Sequence, residues 1–250
     1  MKLKVVITLL VIVIMILLPI TNGKTLNDYF YKAIEVTELP KQPEIPPITD
    51  NLKDIDDPPK PYAPIFTSEP LPAHIIEFIT GVSFKENAPF DYDYLIYLTI
   101  SYVDFEGGRK AGNMIVAAHL GDEVLEIFKE IYEAEFPIYG MRLIDYYDAD
   151  DDLSMAANNT SSFNFRLVAG TNRISRHGFG AAIDINPVQN PYIRGDSILP
   201  EAGREYLDRN DIRPGMVIKG DVVYQAFTSR GWIWGGNWTS LLDYHHFEKH

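Results

Sequence analysis

Two short motifs in the second half of the chain bring together side chains that are able to bind a metal ion. The first is Ser-x-His-x-x-Gly-x-Ala-x-Asp at residues 175–184, and the second is Asp-x-x-His-Phe-Glu at residues 243–248. The imidazoles of His177 and His246 and the carboxylate of Asp184 predict a site for one zinc ion. Three protein ligands leave a fourth position open for water, which is the arrangement of catalytic zinc sites.

A second carboxylate, Asp243, precedes the last of these imidazoles by three residues. We expect it to act as a general base that takes a proton from the attacking water and passes it to the leaving amine. His245 competes with His246 for the metal, because adjacent residues of a strand point to opposite faces and only one of them can face the ion. The chain has no cysteine, so any metal must be held by nitrogen and oxygen donors.

The elements that must position these side chains are short. Gly178 and Gly180 predict a tight turn that places His177 just before a strand, with Asp184 on that strand and His246 on a neighbouring one. Apolar patterning predicts further strands at residues 94–103, 141–146 and 163–168. It also predicts one helix with Asp122 as its N-cap and a second helix at residues 222–230. The polar segment at 148–162 is expected to be a loop. The irregular order of strands and helices favours an α+β fold.

The N-terminal quarter of the chain has the composition of an export segment and a stalk. Lys2 and Lys4 precede an apolar run at residues 5–18, which predicts a signal peptide or a retained membrane anchor over residues 1–23. Residues 24–72 are rich in proline and predict an extended linker, although the last ten of them are also compatible with an arm packed on the domain. The catalytic domain is expected at residues 73–250.

The chain is acidic, with a formal net charge of −13, which argues against a nucleic-acid-binding protein, because such a protein needs a basic patch. We expect a monomer. The acidic run at residues 148–152 raises the alternative of a calcium-binding secreted protein. It lacks the ligand spacing and the distal glutamate of a calcium loop, so a solvated loop is the better interpretation.

The two motifs resemble those of the zinc D-alanyl-D-alanine carboxypeptidase family, which includes VanY-type and VanX-type enzymes and L-alanyl-D-glutamate endopeptidases. The resemblance implies zinc on His177, Asp184 and His246, a catalytic acid at Asp243, and a role away from the metal for His245. It also implies a small antiparallel sheet with flanking helices, the fold that this family shares with the hedgehog signalling domain.

The resemblance extends upstream to the segment at residues 158–166. It implies that Arg166 binds substrate and stabilises the developing oxyanion, and that Ser175 orients the loop or contacts substrate. For Trp232, Trp234 and Trp238 a place in the cleft and a place in the core are both open.

The function implied is that of an extracytoplasmic zinc peptidase, secreted or anchored to the outer face of the membrane. Its substrate would be a peptidoglycan stem peptide or another D-Ala-containing peptide, cleaved at the L-Ala–D-Glu or the D-Ala–D-Ala bond. The alternative is a non-catalytic, zinc-stabilised module that binds the wall or a protein. The presence of both Asp243 and Arg166 favours the enzyme, because a binding module has no need of a base.

Overall fold

The computed structural model describes residues 62–168 and 170–250. The predicted export segment and the linker up to residue 61 lie outside these residues. Within the described part of the chain, no helix combines the length and the apolar character that crossing a bilayer requires.

The described residues form a mixed α/β fold with small, mainly antiparallel sheets and few helices. The strands are β1 Phe66–Pro70, β2 Leu95–Val103, β3 Arg109–Ala117, β4 Gly140–Met141, β5 Asn159–Thr160, β6 Ala182–Asp184, β7 Tyr192–Arg194, β8 Ser197–Leu199, β9 Ile233–Trp234, β10 Leu242–Asp243 and β11 His246–Glu248. The α-helices are α1 Ala73–Ile79, α2 Gly121–Glu133, α3 Asp151–Ala156 and α4 Val222–Thr228. Short 3-10 segments lie at Tyr92–Tyr94, Ala118–Leu120, Ile144–Tyr147, His177–Phe179, Glu201–Tyr206 and Gly235–Asn237.

The largest sheet has the order β1-β2-β3 and supports one side of the core. β2 and β3 form a long hairpin whose turn is fixed by Asp104, which accepts hydrogen bonds from the backbone N–H groups of Glu106 and Gly108. The buried residues of α2 recur at helical spacing and pack against β2. They are Gly121, Val124, Ile127, Phe128 and Ile131. This β2–α2 layer is the scaffold on which the shorter site strands are held.

Two three-stranded antiparallel sheets, β6-β11-β9 and β10-β7-β8, carry the motif residues. In the first, Phe247 of β11 is fully buried and its ring stacks on that of Phe227 from α4, with 4.2 Å between centroids. This contact anchors β11 to the core. His246 and Asp184 are directly opposed in the β11–β6 register, and opposed residues share a face of the sheet. The pairing therefore sets two predicted ligands side by side.

Several of the sequence-based expectations for single elements are confirmed. The strand expected at 94–103 is β2, the two site strands are β6 and β11, and the helix expected at 222–230 is α4.

Other expectations about single elements are wrong in part or in full. The helix expected after an N-cap at Asp122 is present as α2, but it begins at Gly121 and no side chain caps it. Of the strand expected at 141–146, only Met141 is extended, as the second residue of β4. A 3-10 segment begins at Ile144 and takes the place of the rest. The region 163–168 has a single isolated bridge in place of a strand.

The expected loop at 148–162 contains both α3 and β5. The carboxylate of Asp150 accepts a hydrogen bond from the N–H of Leu153 and so caps α3. The acidic residues that suggested a solvated loop thus serve in part as the start of a short helix.

The end of the proline-rich region also has structure. Phe66–Pro70, which the sequence analysis placed in the linker, pairs with β2 as an edge strand. The hydroxyl of Ser101 accepts a hydrogen bond from Ile65 N–H at 2.7 Å and lies 2.8 Å from the hydroxyl of Tyr62. These contacts correspond to the packed arm that the sequence left open for the last residues before 73.

Candidate metal centre and active site

Donor atoms of three residues from the two motifs lie close together and form a donor triangle. His177 Nε2 lies 3.2 Å from His246 Nδ1 and 3.2 Å from Asp184 Oδ2, and His246 Nδ1 lies 3.0 Å from the other oxygen of Asp184, Oδ1. Zinc–nitrogen and zinc–oxygen bonds of about 2.0–2.1 Å place tetrahedral donors about 3.3 Å apart. These three contacts are therefore close to the spacing that a zinc ion requires.

The second ring nitrogen of each imidazole faces a fixed acceptor. His177 Nδ1 lies 2.7 Å from the carbonyl oxygen of Ser162, to which it donates, and His246 Nε2 lies 3.3 Å from Glu248 Oε2. These acceptors hold the ring proton on the nitrogen that faces away from the donor triangle. The lone pair of the other ring nitrogen is then directed into the triangle. The residues thus fit a metal in chemistry as well as in spacing.

Two glycines allow the first motif to fold tightly against β3. Gly180 has φ +59°, and a Cβ atom there would lie 2.6 Å from the backbone nitrogen of Ala117. A Cβ atom on Gly178 would approach the side chain of Ile174 to 2.7 Å and the backbone of Arg166 to 3.4 Å. The expected turn is confirmed, and it brings the His177 segment against the Arg166 segment.

Without a metal, the charges of the site stabilise one another. Burial alone would raise the pKa of Asp184, but the positive charges of His177 and His245 outweigh it and hold that pKa well below its ordinary range. Burial lowers the pKa of His246, and its hydrogen bonds to Asp184 and Glu248 more than reverse this effect, to about 10. A bound cation would take the place of these protons.

Asp243 lies next to the metal group on β10. Its side chain is 13% exposed, and its backbone is paired with Tyr192 of β7. Gly235 makes this position possible, because a Cβ atom there would lie 2.6 Å from the carbonyl oxygen and 2.8 Å from the Cβ of Asp243. The carboxylate is thus fixed at the wall of the same cleft that contains the ligands.

His245, which the sequence offered only as a competing ligand, contacts the proposed base. Its Nδ1 donates a hydrogen bond to the carbonyl oxygen of Asn190 at 2.8 Å. Its Nε2 lies 2.9 Å from Asp243 Oδ1, which is close enough for an ion pair, although the angles do not meet the criteria for a hydrogen bond. Burial lowers the pKa of His245, but the charges of Asp243 and Asp184 raise it to about 9.

Of the two adjacent histidines, the donor triangle contains His246 and not His245. His245 nevertheless lies close to the site, with its Nε2 3.9 Å from Asp184 Oδ1. Alternation along β11 could have identified Glu248, which shares a face with His246. No sequence signal identifies the carbonyl group of Ser162.

The metal group opens into a cleft of about 1000 Å³. Arg166 lines it, is about one-third exposed, and forms an ion pair with Asp151, whose other oxygen accepts a hydrogen bond from Asn164 at 3.0 Å. Ser175 is buried at the cleft wall, and its hydroxyl accepts a hydrogen bond from the N–H of His177 at 3.3 Å. Both residues are therefore close to the ligands, and their catalytic roles stay predictions.

The three tryptophans divide between the two places that were open to them. Trp232 and Trp234 are buried in the core, and their indole N–H groups donate to Glu123 and to the carbonyl oxygen of Tyr244. Trp238 lines the cleft, with its ring 5.4 Å from that of His246. Only Trp238 is therefore placed to contact a ligand of the metal site.

The acidic run at 148–152 does not assemble a metal group. Within residues 62–168 and 170–250, the one cluster of three or more candidate ligands is His177, Asp184 and His246. Asp150 caps α3 and Asp151 pairs with Arg166. The calcium-binding alternative therefore gains no support.

A His/Asp/His donor group in a cleft, with a carboxylate beside it, could hold a metal ion and supply a base for hydrolysis. Residues 169–249 match the family model of D-alanyl-D-alanine carboxypeptidase, which confirms the resemblance seen in the motifs. The match spans both motifs, and Arg166 lies three residues before it. No curated protein and no solved structure matches the chain significantly.

Proposed function

We propose that this protein is a zinc peptidase that hydrolyses peptide bonds in peptidoglycan stem peptides. The observation that carries the proposal is the donor triangle of His177, Asp184 and His246, which lies in a segment that matches a peptidase family. The L-Ala–D-Glu bond and the D-Ala–D-Ala bond are the two candidate positions of cleavage.

Zinc, when bound, would act as a Lewis acid on the scissile carbonyl and would lower the pKa of water. Asp243 accepts a proton from the attacking water and donates it to the departing amine. Its carboxylate suits this role because it is fixed by β10 and largely shielded from bulk water.

Arg166 stabilises the negative charge that develops on the carbonyl oxygen. Its guanidinium is held from one side by Asp151 while the side chain remains about one-third exposed in the cleft. Ser175 supports the backbone of His177 through its hydroxyl and so helps to fix the first ligand.

The proposal includes a place outside the cytoplasmic membrane, which the export-type sequence of residues 1–23 supports, with the protein secreted or anchored there. It also includes a monomer and a domain of the type shared with the hedgehog signalling domain. Fractionation of cells that express the tagged chain, light scattering of the purified chain and comparison of an experimental structure with that domain test these three points separately.

Digestion of purified peptidoglycan by the full-length chain tests the proposed activity. Samples with zinc, with a chelator, and with chelator followed by added zinc are compared by mass spectrometry of the released fragments. We expect fragments in the first and third samples, and their masses identify the bond. A protein that holds one zinc, binds peptidoglycan and releases no fragment would instead be a binding module.

A further inference from the structure

Two separate segments of the cleft lining each present an exposed arginine. Arg173 and Arg194 both line the cleft, and neither forms an ion pair with an acidic side chain of the described residues. The chain as a whole is strongly acidic, with 35 Asp and Glu against 22 Lys and Arg. Two guanidinium groups that line the cleft without an ion pair among residues 62–168 and 170–250 therefore require an explanation.

The first segment comprises residues 166–168 and 170–175, which precede His177. Val168 N–H donates to the carbonyl oxygen of Arg173 at 2.8 Å, and Ser175 N–H donates to that of Arg166 at 2.9 Å. These four residues all line the cleft. The same backbone ladder that holds Arg166 next to His177 thus places Arg173 further out along one wall.

The second segment is the hairpin of β7 and β8. Tyr192 is directly opposed to Asp243 in the β7–β10 register, and Arg194 follows it by two residues. Residues two apart on a strand share a face. Arg194 is therefore on the same face as the proposed base, and both Tyr192 and Arg194 line the cleft.

The acidic groups of the lining are mostly neutralised by other partners. Asp151 pairs with Arg166, Asp243 lies against His245, and Asp184 and Glu248 contact the ligand histidines. Asp152, exposed in the first turn of α3, is the lining acid without an ion pair in the described part of the chain. Among the described residues of the cleft lining, the charged side chains without an ion-pair partner are consequently mainly basic.

We propose that Arg173 and Arg194 form a subsite that selects peptides with free carboxylates close to the scissile bond. A guanidinium group presents a planar fork of donors that matches a carboxylate with two parallel hydrogen bonds. The inference rests on the proposed function, because it concerns the substrate of the same cleft, and it assigns the choice of substrate to these two residues.

The test uses two synthetic peptides and the full-length zinc-loaded chain. One is the stem pentapeptide L-Ala-D-Glu-L-Lys-D-Ala-D-Ala, and the other carries carboxamides in place of its free carboxylates. We expect the wild-type chain to hydrolyse the first with the higher kcat/KM. In the double variant Arg173→Gln/Arg194→Gln, kcat/KM for the acidic peptide should fall roughly 10- to 100-fold, while that for the amide peptide is unchanged.

Two further variants complete the design. Arg204→Gln removes an exposed arginine outside the cleft lining and should leave both rates unchanged. Arg173→Glu/Arg194→Glu should reverse the preference, so that the amide peptide becomes the better substrate. Both double variants change exposed side chains, and their melting temperatures show whether the fold is retained.

The outcomes separate the two levels of the argument. Equal hydrolysis of both peptides by the wild-type chain, or an equal loss on both peptides in the double variant, overturns the subsite and leaves the proposed activity standing. If the zinc-loaded wild-type chain hydrolyses neither peptide, and also releases nothing from peptidoglycan, the proposed function itself is overturned.

Discussion

Asp243→Asn is the substitution that separates catalysis from metal binding in this site. The amide has nearly the same volume as the carboxylate, so β10 can keep its pairing with β7 and its close approach to Gly235. Asp243 is not one of the three donors of the triangle. We therefore expect the variant to fold and to bind zinc.

The expected loss of turnover is large. A positioned general base contributes about 10²- to 10⁴-fold to rate, which is about 3–5 kcal/mol of activation free energy. The upper half of this range applies here, because the Asp243 side chain is only 13% exposed and bulk water cannot easily replace it. We expect kcat to fall roughly 10³- to 10⁴-fold, with KM changed far less.

The assay measures kcat and KM on a stem peptide together with zinc content by mass spectrometry. Asp152→Asn is the matched control, since it removes a lining carboxylate that has no ion pair among the described residues. Turnover by Asp243→Asn within threefold of the wild type, at one zinc per chain, would refute the role of Asp243 as the base.

Three further predictions concern the metal shell, the backbone and pH. Glu248→Gln weakens the contact that orients His246 and should raise the zinc dissociation constant about 10- to 100-fold, measured by chelator competition; an unchanged constant contradicts this orientation. Gly180→Ala should destabilise the fold by at least about 2 kcal/mol in urea, because φ is +59° and backbone atoms fill the space, whereas Gly140→Ala, with open space around it, should change little. Burial disfavours the charged forms of His245 and His246, but carboxylates raise their pKa values from 6.5 to about 9 and about 10. Their contribution to stability is complete below pH 6.5 and is lost as the pH rises through 9 and 10, so the metal-free protein should unfold at lower urea concentration at pH 10 than at pH 6.

The spacing from His177 to Asp184 is a local signal, because it spans one glycine turn and one short strand. The choice of His246 over His245 came from the family resemblance, since strand alternation alone says only that one of the two faces the metal. The pairing that sets His246 opposite Asp184 joins segments 62 residues apart and depends on the tertiary fold.

The partners around the ligands could not be predicted in the same way, because they depend on contacts between distant segments. His245 reaches Asp243 only because Asn190, 55 residues earlier, supplies the carbonyl that fixes its ring. The α3 helix was missed because its acidic first turn has the composition of a loop, and its stability depends on the Asp150 cap and on the pairing of Asp151 with Arg166.

Zinc-edge anomalous diffraction from crystals of the zinc-loaded chain shows directly which residues bind the metal. We predict one strong peak within bonding distance of His177 Nε2, His246 Nδ1 and a carboxylate oxygen of Asp184, with Asp243 outside the coordination sphere. A peak that is bound by His245 in place of His246, or that lies away from this triangle, would contradict the assignment of the metal centre and the mechanism built on it.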